Sequence, residues 1–178
     1  MLDDYGFEIF EQNEFPFAYL ITIRTFGTWL HGDERLSVGR DGKNVYGTPA
    51  IPSNPKLQEL MKSELKQPPI IFNEQQRKVV EVAVTELCEQ RKYDLKAINV
   101  RTNHAHIVLS AQINPERIAD ACKAFATKKL REEKLISTDV KIWSRGRSRR
   151  YLWKPHHVEL AIAYVLYGQG DVPFEIDG

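Results

Sequence analysis

Residues 94–112, DLKAINVRTNHAHIVLSAQ, decide how this chain folds. Asp94–Arg101 and His104–Gln112 each alternate apolar and polar residues, the period of a β-strand. Only Thr102 and Asn103 lie between them, so an antiparallel hairpin is expected. In the second strand Asn103, Ala105, Ile107, Leu109 and Ala111 share one face, and His104, His106, Val108 and Ser110 the other. The first set is mostly apolar and suits a core covered by helices. The two histidines then project from the opposite face, spaced roughly 6.5–7 Å along the strand. Two imidazoles at that spacing can grip one divalent metal ion.

Upstream of the hairpin, Asn73 and Gln76 read as a capping box. Val79, Val80, Ala83, Val84, Leu87 and Cys88 follow at helical spacing, which predicts a helix over 73–91. Ala18–Arg24, AYLITIR, is apolar and β-branched and reads as the first strand. Residues 27–56 are rich in Gly, Pro, Asn and Asp and read as a long loop. Asn54-Pro55 resembles a helix start, with Leu57, Leu60, Met61 and Leu65 as its apolar stripe and Pro68-Pro69 as its stop.

Downstream, Asn114-Pro115 opens a helix to about residue 134. Val140–Ser144 and Arg149–Leu152 read as two short strands joined by a turn at Gly146, and Pro155 opens a last helix to Tyr167. Strand, helix, strand, strand, helix, strand is an α+β, ferredoxin-like βαββαβ antiparallel sheet, here with an appended C-terminal helix.

At 178 residues the chain is expected to form one domain, 1–178. It is 42% hydrophobic and 28% charged, with a net charge of +1. The balance alone announces no nucleic-acid partner; the distribution says more. Residues 141–154, KIWSRGRSRRYLWK, carry Lys141, Arg145, Arg147, Arg149, Arg150 and Lys154 and no acid, with Trp143, Tyr151 and Trp153 interleaved. Guanidinium forks match phosphate oxygens and aromatic rings stack on unpaired bases. The preceding helix adds Lys123, Lys128, Lys129 and Arg131. Cys88 and Cys122 have no metal-type spacing and read as buried thiols of a reducing compartment. The acidic stretch MLDDYGFEIFEQ does not read as a secretory signal, and no apolar run approaches the roughly 20 residues that span a bilayer.

On the last helix Val158, Ile162 and Val165 cluster on one face, and Tyr164 lies about 130° from its centre at 100° per residue. His157 shares the side of Tyr164. Tyr167 is also off the apolar face, so spacing does not choose between the two tyrosines.

NHAH followed by a strand resembles the HUH motif of single-strand DNA endonucleases. IWSRGRSRRYLW, then a helix with Tyr164, then GQG, is similar to the C-terminal part of single-tyrosine transposases. The resemblance is to the REP-associated tyrosine transposases and their IS200-like insertion-sequence relatives, and extends upstream through TFGTWLHGDER and YGTP. It implies that His104 and His106 hold Mg²⁺ or Mn²⁺ and that Tyr164 attacks a backbone phosphate of single-stranded DNA, leaving a 5′-phosphotyrosine link. It makes Gln169 the third metal ligand. Some relatives place that glutamine four residues after the tyrosine; here it stands five after, so it reaches the ion only if the helix ends at Gly168. The implied DNA-binding residues are Arg145, Arg147, Arg149, Arg150, Lys154 and Lys128. The implied partner is single-stranded DNA with hairpin or repeat structure, and the implied setting is the bacterial cytoplasm and nucleoid. Monomer and homodimer both stay open. The alternative is a non-catalytic or domesticated ferredoxin-like module that binds single-stranded nucleic acid.

Overall fold

The computed structural model describes residues 15–28, 55, 56, 59 and 67–168. The 27–56 loop and the helix after Asn54 fall mostly outside the described residues, although Pro55, Lys56 and Glu59 are helical. The elements are β1 (Ala18–Thr25), α1 (Glu74–Arg91), β2 (Asp94–Val100), β3 (His104–Ser110), α2 (Pro115–Glu132), β4 (Trp143–Leu152) and α3 (Pro155–Tyr167). The strands form one antiparallel sheet in the order β2-β3-β1-β4. This is the ferredoxin-like arrangement, with the expected hairpin as β2 and β3. Among the described residues no helix is long and apolar enough to cross a membrane.

The helix starts follow from local chemistry. Asn73 Oδ1 accepts from the Gln76 N–H at 2.8 Å, and Gln76 Oε1 accepts from the Asn73 N–H at 2.9 Å. This reciprocal box satisfies two backbone donors that a helix start leaves without partners. α1 ends at Lys92, in the left-handed region at φ 57°. α2 starts with Asn114 Oδ1 accepting from the Glu116 N–H at 2.8 Å.

Two apolar layers sandwich the sheet. On one face Tyr19, Ile21, Ile23, Val100, Ala105, Ile107 and Leu109 meet the α1 and α2 stripes. On the other, Ala18, Leu20, Ala97, Val108 and Leu152 meet Val158, Ala161 and Val165 of α3. β1 therefore serves both cores, which explains its almost unbroken burial and apolar sequence. Cys88 and Cys122 are buried, and desolvation pushes their thiols up to about 11 and about 12.

The basic stretch is one strand, not two joined by a turn at Gly146. Thr25 pairs with Trp143 but Ile23 with Arg147, so Ser144, Arg145 and Gly146 form a bulge. SRGRS has the composition of a turn. The bulge keeps it in the sheet because Lys123 supplies partners that the ladder cannot: its ammonium donates to the Ser144 and Gly146 carbonyls at 3.0 and 2.9 Å. Ser144 Oγ donates to the Arg24 carbonyl at 3.2 Å, and Trp143 Nε1 to Thr127 Oγ1 at 3.0 Å.

A second irregularity lies in β2. Leu95 pairs with Leu109 but Ala97 with Val108, so the strand changes phase around Lys96. Strict alternation would put Leu95, Ala97 and Asn99 on one face. The shift instead buries Val100 in the α1/α2 core, packs the half-buried Leu95 and Ile98 against it, and turns Ala97 to α3.

Candidate functional site

The start of β3 is tied down from β1. The Asn103 carbonyl accepts from the Thr25 N–H at 2.9 Å and from the Thr25 and Thr28 hydroxyls at 3.1 and 3.4 Å. Both threonines are buried, so their hydroxyls need such partners. From this anchor His104 and His106 project on the face that α3 covers, with ring centroids 4.6 Å apart.

Each imidazole is oriented through Nδ1. Asn103 Oδ1 lies 2.6 Å from His104 Nδ1. A carbonyl oxygen only accepts, so the proton sits on Nδ1 and Nε2 carries the lone pair. Thr22 Oγ1 lies 2.8 Å from His106 Nδ1. Thr22 comes from β1, directly opposite His106 in the ladder. Thr22 Oγ1 can accept from His106 Nδ1, which leaves Nε2 of both rings available, and metal-binding histidines typically have their second nitrogen held in this way. Among the described residues no group of three or more His, Cys, Asp or Glu side chains could hold a metal. The expected third ligand, Gln169, lies outside the described residues.

Burial, then the nearby His104, Arg24 and Arg101, hold His106 well below the ordinary 6.5. It is therefore a neutral imidazole at neutral pH, the form a metal requires. The same shift predicts acid sensitivity. The unfolded chain takes up this proton below about pH 6.5 while the folded chain resists it. In EDTA, the stability that His106 contributes should be fully present above about pH 7 and fall as the pH drops below about 6.5, by at most about 1.4 kcal/mol per pH unit, with His157, lowered first by burial, adding in the same direction. Urea midpoints at pH 7.5, 6.5 and 5.5 check this, with His106→Gln expected to flatten the slope.

α3 places the two tyrosines differently. The Tyr164 ring packs over the sheet 5.4 Å from the His106 ring. Tyr167 is 87% exposed. Tyr164 thus sits beside the histidines of its own chain. Desolvation raises the Tyr164 phenol above the ordinary 10, while Arg24 and Arg150 pull it back down. Arg24 is opposite His104, and Arg150 is opposite Leu20, on the site face. His157 stands seven residues before Tyr164, roughly 10.5 Å along the axis, with its ring 6.4 Å from that of His156.

The cationic residues divide between the faces. Arg147 lies 3.4 Å from Glu116 and from Asp120, and Arg149 lies 2.7 Å from Glu116. The acids missing from the basic stretch come from α2. Arg145 and Lys154 are exposed, at opposite ends of β4. Lys128 is exposed on α2, 3.8 Å from Glu132.

Sequence reading missed Thr22, Asn99, Asn103 and Arg24. Thr22 had a local signal, being the polar residue between Ile21 and Ile23. Asn99 had none, since the phase shift in β2 decides its face.

A family profile described as "Transposase IS200 like" matches residues 65–158, just over half of the chain. No curated protein matches the chain. Among solved structures, the chain is similar to a REP-associated tyrosine transposase bound to a REP hairpin, at 9% identity and a TM-score of 0.49, covering 89% of this chain and 69% of that one. It is also similar to a proposed transposase from Deinococcus radiodurans R1, at 10% identity and a TM-score of 0.45, covering 90% of this chain and 97% of that one.

Proposed function

The chain belongs to the IS200-like transposase family, and from that premise we propose that it cuts and rejoins single-stranded DNA with Tyr164 as nucleophile. One observation carries the reading: Tyr164 packs 5.4 Å, ring to ring, from His106, and His106 packs 4.6 Å from His104, on one face of the sheet. The Tyr164 oxygen attacks a backbone phosphorus. The bond to the 3′ oxygen breaks, that oxygen takes a proton, and the phenol proton leaves to solvent. The products are a 5′-phosphotyrosine link and a free 3′-hydroxyl. The link conserves the phosphodiester, so a second 3′ end can be joined by the reverse step without ATP.

His104 and His106 would hold Mg²⁺ or Mn²⁺, with Gln169 as the proposed further ligand. Bound there, the ion would withdraw charge from the phosphate oxygens and favour in-line attack. Thr22 and Asn103 keep the imidazoles aimed. Arg24 and Arg150 favour the phenolate, which a buried phenol otherwise resists.

The substrate we propose is single-stranded DNA with hairpin or repeat structure. Arg145 and Lys154 are exposed and suited to phosphates, as is Lys128. Arg147 and Arg149 spend their charge on Glu116 and Asp120. Arg145→Ala or Lys154→Ala should therefore weaken DNA binding and reduce the slope of log affinity against log salt by about 1. Arg147→Ala should lower the melting temperature more than the affinity, because it takes the ion-pair partner from Asp120 and leaves Glu116 to Arg149 alone. Fluorescence anisotropy across a salt series, beside thermal melts, checks both.

The deciding experiment uses single-stranded DNA carrying the repeats that flank the protein's own gene. With Mn²⁺, a 3′-end label should migrate with denatured protein and a 5′-end label should appear on a shorter free strand. Binding with no adduct on any such substrate would instead support a non-catalytic module.

A further inference from the structure

We propose that Asn99 is the positioning residue that sets Tyr164 over His106, an inference that rests on Tyr164 being the nucleophile. Asn99 lies on β2, opposite His106 in the ladder. Its Nδ2 donates to the Val165 carbonyl at 3.0 Å. A carbonyl can only accept, so the amide must turn its NH₂ to the helix. One side chain thus joins the strand position beside His106 to the residue that follows Tyr164.

Apolar packing fixes which face of α3 meets the sheet but is less strict about small shifts along its axis. Its N-cap, Lys154, makes no side-chain cap bond, its first turn carries no acid, and its last turn carries no base. Val158, Ala161 and Val165 pack on Ala18, Leu20, Ala97, Val108 and Leu152, with Ile162 and Tyr164 against the same cluster. Such contacts are non-directional, and the alanines among them offer little to interlock. A helix shifted by one residue moves 1.5 Å and turns 100°. That would take Val158, Ala161 and Val165 out of the apolar layer, so the layer already forbids it; a shift of a fraction of a residue keeps the layer and still moves the Tyr164 ring relative to His106. The hydrogen bond tolerates only a few tenths of an ångström, so it selects one setting.

The second observation is the phase shift in β2. Without it, Asn99 would lie on the face of Leu95, against α1 and α2. The shift gives up a regular ladder and turns Asn99 to the tyrosine helix. Bulges beside active sites are known to re-aim side chains in this way.

The test is Asn99→Asp, nearly the same shape but without the N–H donor, with Asn99→Ala alongside. Three quantities are read: single-turnover adduct formation, single-stranded DNA affinity, and hydrogen–deuterium exchange of the peptides covering α3, β3 and α1. We expect Asn99→Asp to slow adduct formation roughly 10²-fold, the scale of about a 1 Å misplacement. Affinity should change less than about twofold, and exchange should quicken in α3 while β3 and α1 keep their protection. Asn99→Ala should do the same more weakly, since it adds no oxygen facing the carbonyl. The proposal is overturned if adduct formation stays within about twofold of wild type. It is equally overturned if α3 exchange is unchanged, or if all three segments loosen together. Should the wild-type protein form no adduct, the nucleophile assignment falls, while the α3 exchange comparison still reports whether Asn99 holds the helix.

Discussion

Tyr164→Phe is expected to remove the protein–DNA adduct, by at least about 10³-fold, while Tyr167→Phe keeps it within about twofold of wild type. A nucleophile cannot be replaced by a ring without oxygen, and losses on this scale follow when a covalent catalyst is deleted. The contrast between the two variants carries the information. Both tyrosines lie on α3, three residues apart, yet Tyr164 is packed beside His106 and Tyr167 is 87% exposed. Both variants should bind single-stranded DNA as the parent does, since neither loses a cation. Adduct yield on 3′-labelled DNA, with anisotropy as the binding control, checks the pair. An adduct that persists in Tyr164→Phe and vanishes in Tyr167→Phe would sink the assignment.

Removing either histidine, or adding EDTA, is expected to reduce cleavage about as far as removing the tyrosine. Two imidazoles with one divalent ion form a minimal grip, and His104→Ala or His106→Ala leaves a single nitrogen. Thr22→Val is the graded version. It keeps the shape and deletes the hydroxyl 2.8 Å from His106 Nδ1. Loss of such an outer partner typically weakens metal binding 10- to 100-fold, so cleavage should return at high Mn²⁺. Electron paramagnetic resonance titration of Mn²⁺, with cleavage followed against metal concentration, reads both effects. Cleavage of equal rate in EDTA would exclude the metal reading. Full Mn²⁺ affinity in Thr22→Val would show that the hydroxyl does not aim the ring.

Much of the fold was legible because its signals are local. The Asn73–Gln76 box, Pro115 and Pro155 in first turns, and the alternation through His104–Ser110 lie within a few residues of the backbone they govern. The Gly146 turn was misread because SRGRS has turn composition, and only Lys123 and the facing β1 show that it is a bulge. The basic stretch looked free of acid because Glu116 and Asp120 stand more than twenty residues earlier and meet it through folding.

By itself, then, the sequence determined the element order, the ferredoxin-like class, the two histidines on one strand face and two tyrosines on a final helix. Those features follow from periods of 2 and 3.6 residues, which any segment carries in its own side chains. Which tyrosine meets the histidines, which arginines are already paired, and which polar residues steer the site were decided by tertiary structure. Thr22 and His106 are 84 residues apart, and Asn99 reaches Val165 across 66. Contacts of that span depend on strand register and helix docking: a one-residue slip of a strand moves its side chains to the other face, and a one-residue shift of α3 turns its side chains by 100°.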